Sequence, residues 1–226
     1  MNELPSPLPS IGIVGIGQIG LALARNLITA GYAVAGYRRS AADAFLAMGG
    51  RLCGSPAEVV RRSQIVFLCL PSVNAAKDVL DGAAGILAEA CADQIYVECS
   101  SHPLEDKRAI ATLLGAKGAS LVECEISGTP RNLEESTALL MLAGDDRTLN
   151  ALRPCFDAIS PRSIRLGAFG ASLAMKTVIN YLLAIHNLAT AEAMLMESGQ
   201  GSRRDKSLKL STQAPCNRGC SSARHR

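Results

Sequence analysis

The chain has no tryptophan, and its aromatic content is only 4% of 226 residues. A core without large rings must be filled by Ala, Leu, Ile and Val, which suits helices packed on a parallel sheet. No run of 18 apolar residues occurs, so no segment is expected to span a membrane. The first ten residues, MNELPSPLPS, have neither a basic stretch nor an apolar one and do not read as a secretory signal. Metal-type spacing is also lacking. Cysteines 53, 69, 91, 99, 124 and 155 are scattered through apolar stretches and read as buried, reduced thiols of a cytoplasmic protein. Cys216 and Cys220 have only His225 nearby, so no metal site is expected there.

What is present is an ordinary globular composition, 48% apolar and 19% charged. The net charge of +3 hides an uneven distribution. Residues 202–226 hold seven Lys/Arg and one acid, whereas residues 1–201 hold 16 bases and 19 acids. A mildly acidic body offers no electrostatic footprint for nucleic acid.

Hydrophobic periodicity predicts strands at 11–14, 32–37, 65–70, 95–98, 120–125, 138–142 and 163–166. Helices are predicted at 19–30, 41–48, 55–62, 75–80, 86–90, 104–114 and 149–158, then one long helix from 171 to about 198. Strands alternating with helices of about ten residues call for an α/β fold with a doubly wound, Rossmann-type parallel sheet, because parallel strands need crossover connections. The expected organisation is a flexible stretch at 1–10, a dinucleotide-binding domain at 11–166, an interdomain helix at 167–200 and a disordered basic tail at 201–226.

Between the first strand and the first helix stands Gly15-Ile16-Gly17-Gln18-Ile19-Gly20, a GxGxxG in the strand–turn–helix setting that gives each glycine a task. Gly15 permits the tight turn, Gly17 lets backbone approach a pyrophosphate, and Gly20 lets the helix lie close to the sheet. The helix start then offers unpaired amides and a positive dipole end to phosphate, so Gln18 and Ile19 belong to the site as well. About 20 residues on, an Asp or Glu would bind a ribose 2′-hydroxyl. Tyr37-Arg38-Arg39-Ser40 stands there instead. Two guanidiniums and a hydroxyl suit a 2′-phosphate, so NADP is expected in preference to NAD. On the long helix Lys176 and Asn180 are four residues apart and share one face.

With these pieces in order, residues 11–199 resemble the β-hydroxyacid dehydrogenase family, which includes 3-hydroxyisobutyrate dehydrogenase and tartronate semialdehyde reductase and is akin to 6-phosphogluconate dehydrogenase. The block IGIVGIGQIGLALARNL is similar to its nucleotide-binding start, and YRRS stands where NADP-preferring members carry Asn-Arg-Thr. The resemblance implies that Leu70 and Pro71 lie near the cofactor, as does Ser101 in Glu98-Cys99-Ser100-Ser101. It implies that Ser127 and Gly128 hold a substrate carboxylate, and that Lys176 is the catalytic acid/base with Asn180 as its partner. The activity implied is hydride transfer between the nicotinamide and a small hydroxy acid or its semialdehyde, the lysine giving or taking the proton.

Departures from the family pattern are Thr129 for a glycine, Glu125 for a proline, and Ser136 and Ala138 where Gly and Leu are usual. Glu125 is expected to put an acid near a pocket meant for a carboxylate. Beyond residue 201 the basic tail stands where members continue into a helical domain, so that domain is expected to be missing, as a shifted reading frame or an altered exon would leave it. Loss of that domain is expected to expose Leu182, Leu183, Ile185, Leu188, Met194 and Leu195, to weaken a homodimer and to impair turnover. A non-catalytic NADP-binding remnant or interaction module is the alternative, and an imine reductase a more distant one.

Overall fold

Because β-strand side chains alternate between faces, a strand apolar at every position must be covered on both sides. In the computed structural model, which describes residues 8–198, such strands form the centre of the sheet. β1 (Ile11–Val14) leads through the glycine turn into α1 (Gln18–Thr29), followed by β2 (Val34–Tyr37), α2 (Asp43–Ala47), β3 (Arg51–Leu52) and α3 (Pro56–Arg61). β4 (Ile65–Leu68), α4 (Val73–Leu80), α5 (Ile86–Glu89), β5 (Ile95–Glu98) and α6 (Leu104–Gly115) come next. The remainder is β6 (Ser120–Ser127), α7 (Pro130–Glu134), β7 (Leu139–Ala143), α8 (Asp146–Ala151), α9 (Arg153–Ile159), β8 (Ser163–Arg165) and α10 (Ala171–Ser198).

The sheet order is β3-β2-β1-β4-β5-β6-β7-β8. Reversal of strand order between β1 and β4 opens the crevice in which such folds take ligands. On β4, Ile65 and Phe67 pack with Leu23 and Leu27 of α1 on one face, while Val66 and Leu68 pack with Tyr96 and Ile110 on the other. Asn26 locks the first face: its buried amide donates to the Leu133 carbonyl at 2.6 Å and the Ile159 carbonyl at 2.8 Å.

The doubly wound parallel sheet expected from the sequence is present, with one antiparallel step near its far edge. β6 and β7 are antiparallel, and β8 runs parallel to β7. Their connection, residues 128–138, holds only the one-turn helix α7 and no full crossover, so the chain folds straight back. That return explains two departures from the family pattern. Thr129 is the N-cap of α7 in a capping box with Asn132, and Ser136 turns the chain at φ 53°. The predicted helix at 149–158 is two helices broken at Leu152, because Pro154 sits in the first turn of α9. β3 and α7 are too short for periodicity to reveal. β2 starts and β4 ends two residues inside the predicted limits.

The chain divides into a first unit ending at Lys176 and a second beginning at Thr177, so the division falls inside α10, later than the boundary expected at 166. In the second unit Leu182, Leu183, Ile185, Leu188 and Leu195 are exposed, and Met194 is half-buried. By length and a mean hydropathy of 1.2, residues 171–196 are also enough to cross a membrane. A search for 18 uninterrupted apolar residues passes over them because Lys176, Asn180, His186, Asn187 and Glu192 interrupt the run. The tail expected to be disordered at 201–226, and most of the flexible stretch at 1–10, lie outside the described residues.

Candidate dinucleotide-binding site

The turn between β1 and α1 separates glycines required by the fold from a glycine that is not. Gly15 has φ +102°, and a Cβ there would run into the Cys69 carbonyl oxygen. A Cβ on Gly20 would strike the Gly15 carbonyl oxygen. Gly17 differs. Its φ of −85° is open to any residue, and a Cβ would meet no protein atom within 4 Å. Nothing in the protein requires that glycine, but a backbone approached by a ligand does. Gly17 is the N-cap of α1, no side chain caps the helix, and its first turn carries no acid, so the amides of that turn are left for an anion.

Over this turn lies a cavity of about 690 Å³, within the range of small-molecule and cofactor sites. Gly15, Gly17, Gln18, Ile19 and Gly20 line its middle. Arg38, Arg39 and Ser40, just after β2, line one end, and Leu70, Pro71 and Ser101, after β4 and β5, line the other. The cavity thus gathers every residue for which a cofactor role is expected. Arg39 also meets Asp78 of α4 at 3.6 Å, an exposed pair that water screens. Asp78 and Asp81 line the cavity as well, so its fit to a dinucleotide rests on its size and on the uncapped amides of α1 and not on net charge. Among the described residues no group of three His, Cys, Asp or Glu could hold a metal ion.

Ser127, Gly128, Lys176 and Asn180 are not in the cavity lining. The Lys176 ammonium donates to the Ile126 carbonyl at 2.6 Å, which brings it to the residue next to Ser127 and Gly128 at the end of β6. Gly128 has φ +146°, and a Cβ there would press on Asn132 and Ala138. Asn180, one turn beyond Lys176 on α10, is exposed. Lys176 is therefore tied to the residue of β6 that precedes Ser127.

Several residues at the site carried no expectation from sequence. Lys107 of α6, with 0% of its side chain exposed, donates to Glu125 at 2.7 Å and to Glu123 at 3.1 Å. The acid expected to oppose a carboxylate is thus partnered by a cation. Burial works against the Lys107 charge, but the two carboxylates outweigh it and hold the ammonium above the ordinary lysine range. Glu123 also accepts from the Gly170 amide at 2.6 Å and the Ser172 hydroxyl at 2.9 Å, fastening the start of α10 to β6. Ser101 donates to Glu125 at 2.6 Å. His102 is buried, which lowers its pKa, and its Nε2 lies 3.2 Å from the Leu70 carbonyl.

The thiols also differ from expectation. Leu68, Glu98 and Glu123 share one register, so Cys69, Cys99 and Cys124, each the next residue, stand side by side across three strands. Cys69 and Cys99 are half-buried and line the cavity, while Cys91 is exposed. S–H donors from Cys124 and Cys69 pull the Cys99 thiol below the ordinary range, against the opposing effect of burial. Strand ends in the switch-point crevice were the available signal for these residues. Nothing in the sequence marked Lys107.

Residues 10–169 match the family described as the NAD binding domain of 6-phosphogluconate dehydrogenase. The chain belongs to that family. Within it, the chain is 28% identical over 202 residues to glyoxylate/succinic semialdehyde reductase 1 of Arabidopsis thaliana, covering 88% of this chain and 70% of the plant protein. It is 29% identical over 192 residues to the cytokine-like nuclear factor N-PAC of Anopheles gambiae, covering 84% of this chain but only 34% of that protein. A Mycobacterium tuberculosis 3-hydroxyisobutyrate dehydrogenase solved with L-serine superposes with a TM-score of 0.83 at 26% identity, over 92% of this chain and 72% of that one. The fold and the expected kinship with 3-hydroxyisobutyrate dehydrogenase-like oxidoreductases stand.

Proposed function

We propose that the chain is an NADP-dependent oxidoreductase acting on a small hydroxy acid or its semialdehyde. The observation that carries this reading is the cavity, whose lining holds Gly15, Gly17 and Gly20 together with Arg38, Arg39 and Ser40, with no acid among residues 37–42 where a ribose-binding carboxylate would stand. Gly15, Gly17, Gln18, Ile19 and Gly20 would hold the pyrophosphate, and Arg38, Arg39 and Ser40 the 2′-phosphate. Leu70, Pro71 and Ser101 would flank the nicotinamide. When bound, the cofactor supplies or accepts the hydride. Ser127 and Gly128 would hold the substrate carboxylate, Lys176 would move the proton at the reacting oxygen, and Asn180 would orient that lysine. The 2.6 Å bond from Lys176 to the strand that ends in Ser127 supports this grouping.

Titration with NADPH and NADH tests the cofactor, and a preference for NADH refutes the role of the arginines. Turnover of glyoxylate, tartronate semialdehyde or succinic semialdehyde with NADPH tests the chemistry, and Lys176→Ala should abolish it. A second reading, an NADP-binding module without turnover, is favoured by the kinship with a protein named as a nuclear factor and by the exposed apolar residues of α10. Tight NADPH binding with no turnover on any of these substrates would select it.

A further inference from the structure

Ser101 is exposed to the cavity, yet its one proton is already committed. A serine hydroxyl has a single O–H and two lone pairs. Its oxygen lies 2.6 Å from Glu125 Oε2, the short distance of a bond to a charged acceptor. Glu125 in turn is held from its other oxygen by Lys107 at 2.7 Å, and neither side chain is more than 1% exposed. Lys107 cannot swing away, because its ammonium also bonds Glu123, itself anchored by Gly170 and Ser172. Ser100, by contrast, is consumed by the fold: its oxygen accepts from the Leu70 amide and donates to the Leu68 carbonyl. Toward the cavity, then, Ser101 shows lone pairs only.

We propose that the Lys107–Glu125 pair sets Ser101 as a fixed hydrogen-bond acceptor for a donor on the nicotinamide nucleoside, its carboxamide N–H or a ribose O–H. This rests on the reading that the cavity holds NADP(H). Ser101 follows β5 whereas Arg38 and Arg39 follow β2, on the other side of β1 in the sheet, so a dinucleotide whose 2′-phosphate meets the arginines brings its nicotinamide half toward Ser101. Glu125 and Lys107 are positioning residues, acting through Ser101. A carboxylate at 125 carries no proton to give, so the serine has one orientation. A glutamine there can turn its NH₂ to the serine and release the O–H to point the other way.

The test compares NADPH with 2′,5′-ADP, which carries the 2′-phosphate but no nicotinamide nucleoside, on the full chain by calorimetry. Ser101→Ala and Glu125→Gln should each weaken NADPH roughly fivefold to tenfold and change 2′,5′-ADP less than twofold. Ser101→Thr, which keeps the hydroxyl, should restore most of the loss. If Glu125→Gln unfolds, Glu125→Asp takes its place: it keeps the charge beside Lys107 but draws the carboxylate back from Ser101, and it should weaken NADPH likewise while sparing 2′,5′-ADP. Repeating the titration with the 3-acetylpyridine analogue of NADPH separates the two donors. A Ser101→Ala effect that vanishes assigns the carboxamide, and one that persists assigns the ribose. NADPH affinity unchanged in Ser101→Ala, with 2′,5′-ADP still bound, overturns the proposal. Failure of the wild type to bind 2′,5′-ADP removes the NADP reading itself, and this proposal with it.

Discussion

Glu98, the last residue of β5, should make the protein less stable as pH rises, and Glu98→Gln should remove that dependence. Its side chain is fully buried, Oε1 accepts the Ser100 amide at 2.8 Å, and Oε2 has no partner among the described residues. Burial pushes the carboxyl up from 4.5 to about 7, despite opposing bonds from Ser100 and the charge of Lys107. Between those two values the folded protein keeps a proton that the unfolded chain has lost. The unfolded state binds fewer protons, so stability falls from pH 4.5 upward and levels off above 7. At about 1.4 kcal/mol per pH unit, the full interval corresponds to about 3.5 kcal/mol. Urea unfolding of both proteins at pH 5 and pH 8 isolates this group, because other titrations cancel in the difference. About 0.6 of a unit is already spent by pH 5, so the glutamine variant should gain about 2.5 kcal/mol relative to wild type between the two pH values. A difference independent of pH would refute the reasoning.

Other outcomes follow from single geometries. Gly17→Ala should fold with wild-type stability or slightly better, while losing at least tenfold in NADPH affinity; thermal unfolding and calorimetry check the two halves. Gly20→Ala should instead lose roughly 1–3 kcal/mol in urea unfolding, since its Cβ meets the Gly15 carbonyl. Replacing Arg38 and Arg39 together by alanine should weaken NADPH by roughly ten- to a hundredfold and leave NADH within a factor of two or three, measured by fluorescence titration. Lys107→Met should cost about 3–5 kcal/mol by stranding two buried carboxylates, and the double variant with Glu125→Gln should recover a large part of it. Of the two cysteines that line the cavity, Cys99 should react with iodoacetamide at pH 6 faster than Cys69, and NADPH should protect it; mass spectrometry of the labelled peptides reads both.

The alternation of apolar runs with helical periodicity was enough to place β1, β2, β4, β5 and β6 and the helices between them, because each is a local pattern with an unmistakable repeat. The nucleotide turn was legible for the same reason: three glycines at fixed offsets between 14 and 21 leave few conformations to choose from. Strand direction was not legible. Leu139 to Ala143 reads as a buried strand whichever way it runs, and only the shortness of residues 128–138 forces it back along β6. Lys107 was hidden differently. In LEDKRAIA it sits among charges and reads as a solvated face, and its partners lie 16 and 18 residues away on another element. Buried ion pairs of this kind are tertiary facts with no local signature, so Glu125 looked like an isolated anomaly until its cation was found.

Gly17 carries a lesson for anyone who would engineer this protein. A library sorted only for thermal resilience or yield would hold on to Gly15 and Gly20 and let position 17 wander, since the empty chain exerts no pull on it. The survivors would be robust proteins with a blocked nucleotide cleft, so any such screen must include the nucleotide from its first round.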